Sequence, residues 1–216
     1  FFKQKTAYEI PKRDWSSDVC SSDLTCQCIA MSLFLISDTH FGHAAICQFT
    51  NKDGSKMRPW DDVEAMDEAL VERWNSTVKA GDTVYHLGDV AIPRKSLAIL
   101  ARLNGRKALI RGNHDIYKLS DYTPYFYDVR GAHVRDGFLF SHIPCHPSSI
   151  ERYVANVHGH LHGGQVTMMV RGDFEQYEQF DPRYYCVCVE RTNFAPIAWE
   201  EVKQNIQFGK DYCEMQ

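Results

Sequence analysis

Residues 33–40 read Leu-Phe-Leu-Ile-Ser-Asp-Thr-His: four apolar side chains, a serine, then an aspartate and a histidine two places apart. An unbroken apolar run this short is the pattern of a buried strand, and it stops at side chains that carry metal-ligand atoms. The arrangement recurs. Thr83-Val84-Tyr85-His86-Leu87 stops at Gly88-Asp89, Lys107-Ala108-Leu109-Ile110 at Gly112-Asn113-His114-Asp115, and Phe138-Leu139-Phe140 at Ser141-His142. Val154-Ala155-Asn156-Val157 stops at His158-Gly159-His160-Leu161-His162. Ligands of layered α/β proteins bind outside the carboxyl ends of the strands. Five such endings would therefore bring Asp38, His40, Asp89, Asn113, His142, His160 and His162 together.

Helical spacing fills the gaps between the strands. Val63, Met66, Leu70, Trp74 and Val78 predict a helix over 61–78, with Asp61 as its N-cap, Glu64 three residues on, and Gly81 past its end. Pro93 opens a second helix that runs to Leu103 and closes at Asn104-Gly105. Asp136-Gly137 is a hairpin turn signal. Tyr184 to Val189 reads as a late strand, with Cys186 and Cys188 on one face, and Trp199 to Gln207 as a terminal helix.

Imidazoles, carboxylates and one amide together suit Mn, Fe, Zn, Ni or Co better than calcium. Two such ions about 3.5–4 Å apart neutralise the oxygens of a phosphate ester and lower the pKa of a bound water. Holding two ions requires one carboxylate to bridge them. A lone Asp-x-His is more often a turn or a helix cap than a ligand pair, and one Gly-Asn-His-Asp could be a turn; five such endings in succession, each after a strand, leave little room for that reading.

Asp38-Thr39-His40, Gly88-Asp89, Gly112-Asn113-His114-Asp115, a lone His142, and Gly159-His160-Leu161-His162 follow the signature order of the calcineurin-like metallophosphoesterases, which this chain resembles from Met31 to about Trp199. The extended runs Asp38 to His43 and Asn156 to His162 are similar to a small bacterial and phage branch. The resemblance implies a four-layer α-β-β-α sandwich of two mixed sheets. It also implies a dinuclear hydrolase of phosphate mono- or diesters, with a metal-bridging hydroxide attacking phosphorus. Asp38, His40 and His162 would hold the first ion; Asn113, His142 and His160 the second; Asp89 both. The ions are expected to be manganese, with iron, nickel, zinc, cobalt and magnesium as alternatives. His114 would protonate the leaving oxygen or stabilise the phosphate, and Asp115 would either orient His114 or cap the turn. His43, Arg94 and Arg111 are candidate phosphate contacts, set against packing for His43 and surface exposure for the arginines. His158 would support the metal loop; His86 reads as a core residue and His133 as a surface one, while His146 has no assignment. Many relatives carry an acid three places after the bridging aspartate, whereas Ile92 stands there in this chain. A catalytically weak metal-binding scaffold of the same fold is the alternative reading.

The chain has 216 residues, 24 Lys+Arg against 28 Asp+Glu, and a net charge of −4. An acidic balance disfavours an extended nucleic-acid binder, which leaves a phosphoester small molecule, a nucleotide or a nucleic-acid end as substrate. No apolar run approaches the ~20 residues of a membrane span, so no membrane partner is expected; the oligomeric state is left open. All ten histidines fall between His40 and His162. Residues 1–30 contain none and read as non-native. Lys3 to Ile10 and Arg13 to Leu24 resemble a translated sequencing adapter, with Thr25 to Ala30 as readthrough. The natural protein is therefore expected to start at Met31, with 31–216 as a single domain. Three of the eight cysteines lie in that first segment. Cys47, Cys145, Cys186, Cys188 and Cys213 contain no Cys-x-x-Cys pair and read as free thiols of a reducing cytoplasm, bacterial or, for a phage gene, that of the host.

Overall fold

The computed structural model describes residues 31–51, 53–171 and 175–214; the segment read as non-native lies outside them. In chain order the elements are β1 (Leu33–Ile36), α1 (Val63–Thr77), β2 (Thr83–His86), β3 (Arg106–Ile110), α2 (Leu119–Tyr122), β4 (Asp128–Arg130), β5 (Ala132–Arg135) and β6 (Phe138–Ser141). They continue with α3 (Pro147–Ile150), β7 (Asn156–His158), β8 (Thr167–Arg171), β9 (Gln176–Phe180), β10 (Tyr184–Cys186), β11 (Ile197–Ala198) and α4 (Trp199–Glu214). Among the described residues no helix is long and apolar enough to cross a membrane.

Two mixed sheets face one another. The first has the order β11-β1-β2-β3-β4, parallel except for β11; the second has the order β10-β7-β6-β5, parallel except for β5. Strand side chains alternate between faces, and here both faces are buried. Ile36, Val84 and Leu109 point into a core shared with Met66, Leu70 and Trp74 of α1. Their neighbours Leu35, Tyr85, Ala108 and Ile110 point into the core between the sheets, against Phe138, Phe140 and Val157. Trp199, Val202 and Ile206 of α4 join this inner core, with the Trp199 ring edge-on to Phe138 and Phe140. The layered α/β architecture expected from the resemblance is present.

Local signals account for most boundaries and some corrections. Asp62, not Asp61, caps α1: its carboxylate accepts from Ala65 N at 2.7 Å. The segment after Pro93 forms a 3₁₀ helix, Arg94–Arg102. Buried Leu97, Leu100 and Leu103 recur every third residue, which aligns them on one side of a three-residue turn. Asp136 and Gly137 have φ of 51° and 83° and join Arg135 to Phe138, the left-handed pair of a type I′ hairpin. The strand expected over 154–157 is displaced to Asn156–His158, leaving Val154 exposed. The late strand ends at Cys186, and Val189–Arg191 turns as 3₁₀. The short edge strands β4 and β11 and the β8–β9 hairpin had no reading in the sequence.

Asp67 on α1 connects this packing to the loop after β1. It is 9% exposed, and its carboxylate accepts from Gly42 N with both oxygens at 3.0 Å. Burial, helped by Glu64 and Glu68, pushes its pKa up to about 6 against the opposing pull of Gly42 N and Arg58. A carboxyl raised on folding favours the native state below its unfolded pKa of about 4, and that contribution is lost as pH rises through 6. Asp67→Asn keeps an acceptor for Gly42 and removes the titration. Urea unfolding of the metal-free protein should show the variant gaining on wild type by about 1–2 kcal/mol between pH 4 and pH 7, the full shift being reduced by solvent screening. A pH-independent difference would refute this account.

Candidate metal centre

Each ligand-type side chain sits where a strand gives way to a sharp turn. Asp38 and His40 follow β1, Asp89 follows β2, and His160 and His162 follow β7; their φ values are 58°, 49°, 57°, 69° and 50°. These left-handed turns swing side chains back over the sheet ends, and each is bonded to a neighbouring turn. Asp38 N donates to Gly88 O (2.9 Å), His40 N to Asp89 O (3.1 Å), and Gly159 N to His142 O (2.9 Å). Two glycines leave no room for a side chain. A Cβ on Gly112 would stand 2.1 Å from Asp89 Oδ1, and one on Gly159 would stand 2.0 Å from Ser37 Oγ.

Two clusters result. Asp38, His40 and His162 form one, Asp89, His142 and His160 the other, with the ligand atoms in each within 4.8 Å of one another. Asp89 lies between them: its Oδ2 is 3.3 Å from His142 Nε2 and 3.7 Å from His40 Nε2. Asn113 Oδ1 reaches His142 Nε2 at 2.9 Å, on the side of the second cluster. Divalent cations fit this donor set. Asp38 Oδ1 and both ring nitrogens of His40 are buried with no hydrogen-bond partner, a state that buried polar atoms rarely keep without a ligand. Carboxylate and imidazole donors around such orphans suit first-row divalent metals.

The outer atoms of these residues are tied down. His142 Nδ1 donates to Leu87 O at 2.7 Å, and His162 Nδ1 contacts Glu190 Oε1 at 3.0 Å, so each ring turns Nε2 toward its cluster. Asp38 Oδ2 accepts from Ser37 Oγ (2.6 Å), His160 N (2.8 Å) and Cys188 Sγ (3.1 Å), leaving Oδ1 for the centre. Burial alone would raise the Asp38 carboxyl, but His40, His142 and His162 hold it far below the usual carboxylate range. Asp89 is lowered as well, with burial outweighed by His142. Burial would lower His142 and His162, yet Asp89 and Glu190 respectively hold them above the ordinary histidine value.

The remaining expected residues divide. His114 is exposed, its ring 5.6 Å from that of His40, and its main-chain N donates to Asp89 Oδ1 at 2.9 Å. His43 also neighbours His40, ring to ring 5.4 Å; it makes no capping bond, and burial, His40 and His114 push its pKa down. Asp115 does not orient His114. Its carboxylate accepts from Asp89 N (2.8 Å), Gly112 N (2.8 Å) and Val90 N (3.1 Å), so it ties its own preceding turn to that of Asp89 and does not cap the turn that follows. Both arginines have protein partners. Arg94 pairs with Asp121, and Arg111 donates to Asp115 O and Tyr117 O while lying over the Tyr122 ring.

The other histidines are supporting groups. His158 is buried, contacts Gly159 O through Nδ1 at 2.8 Å, and is pushed by burial down to about 4. His86 accepts from Gly88 N at Nδ1 and faces Thr39 Oγ1 through Nε2 at 2.9 Å; burial pushes it down to about 3. His133 stacks on Tyr85 and is half-buried, not a surface residue, and His146 caps α3 by accepting from Ser148 N. Arg58 and Glu190, which join behind the first cluster, were missed. A lone arginine in a loop and a lone glutamate after a strand carry no signal until the chain brings them together.

The sequence model of the calcineurin-like phosphoesterases matches residues 31–182. An uncharacterized protein of Methanocaldococcus jannaschii is 30% identical over 188 residues, 82% of this chain and 93% of that one. The gene 66 protein of Mycobacterium phage L5 is 37% identical over 84 residues, 37% of each chain. Among solved structures, a protein of unknown function from Aquifex aeolicus superposes with a TM-score of 0.56 at 25% identity, covering 81% of this chain and 98% of that one. With a family match across most of its length, and two ligand clusters at the carboxyl ends of its strands, the chain belongs to the calcineurin-like phosphoesterase family.

Proposed function

We propose that the protein is a metal-dependent phosphoesterase that cleaves phosphate mono- or diesters. The observation that carries this reading is Asp89, whose Oδ2 faces both clusters while buried donors around it lack partners. In the proposal Asp38, His40 and His162 hold one divalent ion, Asn113, His142 and His160 hold another, and Asp89 contributes to both. When bound, two such cations neutralise phosphate oxygens and lower the pKa of a bound water, which supplies the nucleophile. Manganese is the first choice for this mixed nitrogen and oxygen set, with iron, nickel, zinc, cobalt and magnesium beside it.

The protein's own groups position the ester and handle its proton. His114 is anchored through its main chain to Asp89 and presents an exposed ring beside His40, a placement suited to protonating the leaving oxygen. His43 lies beside His40 as well. Its lowered pKa favours a neutral ring that donates one N–H to a phosphate oxygen. A phosphoester small molecule or nucleotide is the proposed substrate class. The free thiols of Cys47, Cys145, Cys186 and Cys188 support a cytoplasmic setting.

The full-length chain, reconstituted with Mn(II), should hydrolyse p-nitrophenyl phosphate or its bis-ester, and EDTA should stop the reaction. No turnover with either ester under any of the metals above would leave the scaffold reading in its place. Asp89→Asn should abolish turnover without altering the far-UV circular dichroism, and an unchanged rate would remove Asp89 from the bridging role. His114→Ala should lower kcat by about 10²–10⁴-fold with little change in KM, as expected for loss of a general acid; an unaltered kcat would exclude it.

A further inference from the structure

Arg58 is fully buried, at 0% exposure, behind the first cluster. Its guanidinium spends its donors on three separate pieces of chain, one of them Met66 of α1, whose Sδ lies 3.3 Å from Nη1. Nη2 donates to Asp38 O (2.6 Å) and Nη1 to Thr39 O (2.8 Å), while Nε and Nη2 reach Glu190 Oε1 at 2.9 and 2.8 Å. That same oxygen faces His162 Nδ1 at 3.0 Å. The planar fork therefore holds the turn that carries Asp38 and His40 and, through Glu190, the ring of His162. An arginine has the rigid geometry for two carbonyls and a carboxylate at fixed directions; a lysine does not.

The second cluster is supported differently. His142 rests on the carbonyl of Leu87, and the Asp89 turn rests on the carboxylate of Asp115. Among the described residues, neither Arg58 nor Glu190 has a hydrogen bond or ion pair with Asp89, His142, His160 or Asn113. We propose that Arg58, acting through Glu190 and the main chain of Asp38 and Thr39, is the positioning residue of the first cluster alone. The two binding steps then depend on Arg58 unequally, the first cluster's far more than the second's, although the clusters share Asp89 and their turns are bonded to each other. This inference rests on the dinuclear reading of the site.

The test uses the full chain titrated with Mn(II), read by calorimetry, elemental analysis and electron paramagnetic resonance. Wild type should hold two ions whose shared carboxylate couples them magnetically. Arg58→Lys should weaken one of the two binding steps by about 10–100-fold, the range for losing an outer partner of a metal ligand. Its spectrum should change from the coupled signal to that of a single ion, with unchanged far-UV circular dichroism. Glu190→Gln should weaken the same step and carries the discrimination if the arginine variant does not fold. Two unaltered binding steps in the folded variants, or equal weakening of both, would overturn the proposal. A wild type that takes up only one ion would overturn the dinuclear reading, and this inference with it, before any substitution is made.

Discussion

Five residues that offer metal-ligand atoms, Asp38, His40, Asp89, His160 and His162, hold φ between 49° and 69°, a region that side chains other than glycine seldom occupy. Each such residue costs about 1–2 kcal/mol. Together they approach the net stability of a typical domain, about 5–15 kcal/mol. The strain persists because no turn stands alone. The first turn is bonded to the second through Gly88 O and Asp89 O, and the last returns to the first through His160 N on Asp38 Oδ2. Relaxing one of them would break bonds in another.

Charge adds a second conflict within the same few residues. Asp38, Asp89, Asp115 and Glu190 are all buried near the strand ends. Asp115 is satisfied by three backbone N–H groups, and Glu190 is paired through Oε1 with Arg58 and His162 while its Oε2 has no partner. Asp38 and Asp89 have only imidazoles facing their inner oxygens. A buried carboxylate without a full partner is costly, and a divalent cation is the group that offsets such a charge while also engaging one orphan nitrogen of His40. The fold has put its strain and its uncompensated charge at one point, as expected where binding energy is available to offset both.

How much of this was legible in the sequence depends on the range of the interaction. Short apolar runs that end in Asp, Asn or His betrayed β1, β2, β3, β6 and β7 because both the strand and its ligand are encoded in adjacent residues. The Asp136-Gly137 turn was equally local. The caps were legible to within one residue, since Asp61 and Asp62 offer the same chemistry and only the path of the chain chooses between them. The partners of Arg94 and Arg111 were not legible because tertiary packing sets them: a carboxylate on α2 for one, and two loop carbonyls for the other. Arg58 and Glu190 are separated by more than half the chain, and no local pattern marks either. Edge strands such as β11, two residues long, have too few side chains to show a period.

The splice between the two sheets explains why the site survives as a unit. Ser37, the first residue after β1, donates its N–H to Val187 O (3.0 Å) and accepts from Val189 N (3.1 Å). The chain leaving the second sheet is thereby stitched to the first immediately before Asp38. That pairing and the 3₁₀ turn that follows it at Val189–Arg191 place the next residues. Val187 enters the core between the sheets, and Val189 enters the core under α1. Cys188, between them, faces Asp38 Oδ2, and Glu190 is carried to His162 and Arg58. A slip of one residue would put valines against the carboxylate and cysteine into the apolar core, and would remove Glu190 from His162. The register that docks one sheet on the other is therefore the register that assembles the first ligand cluster, so the apolar packing of the sandwich enforces the geometry of its most polar part.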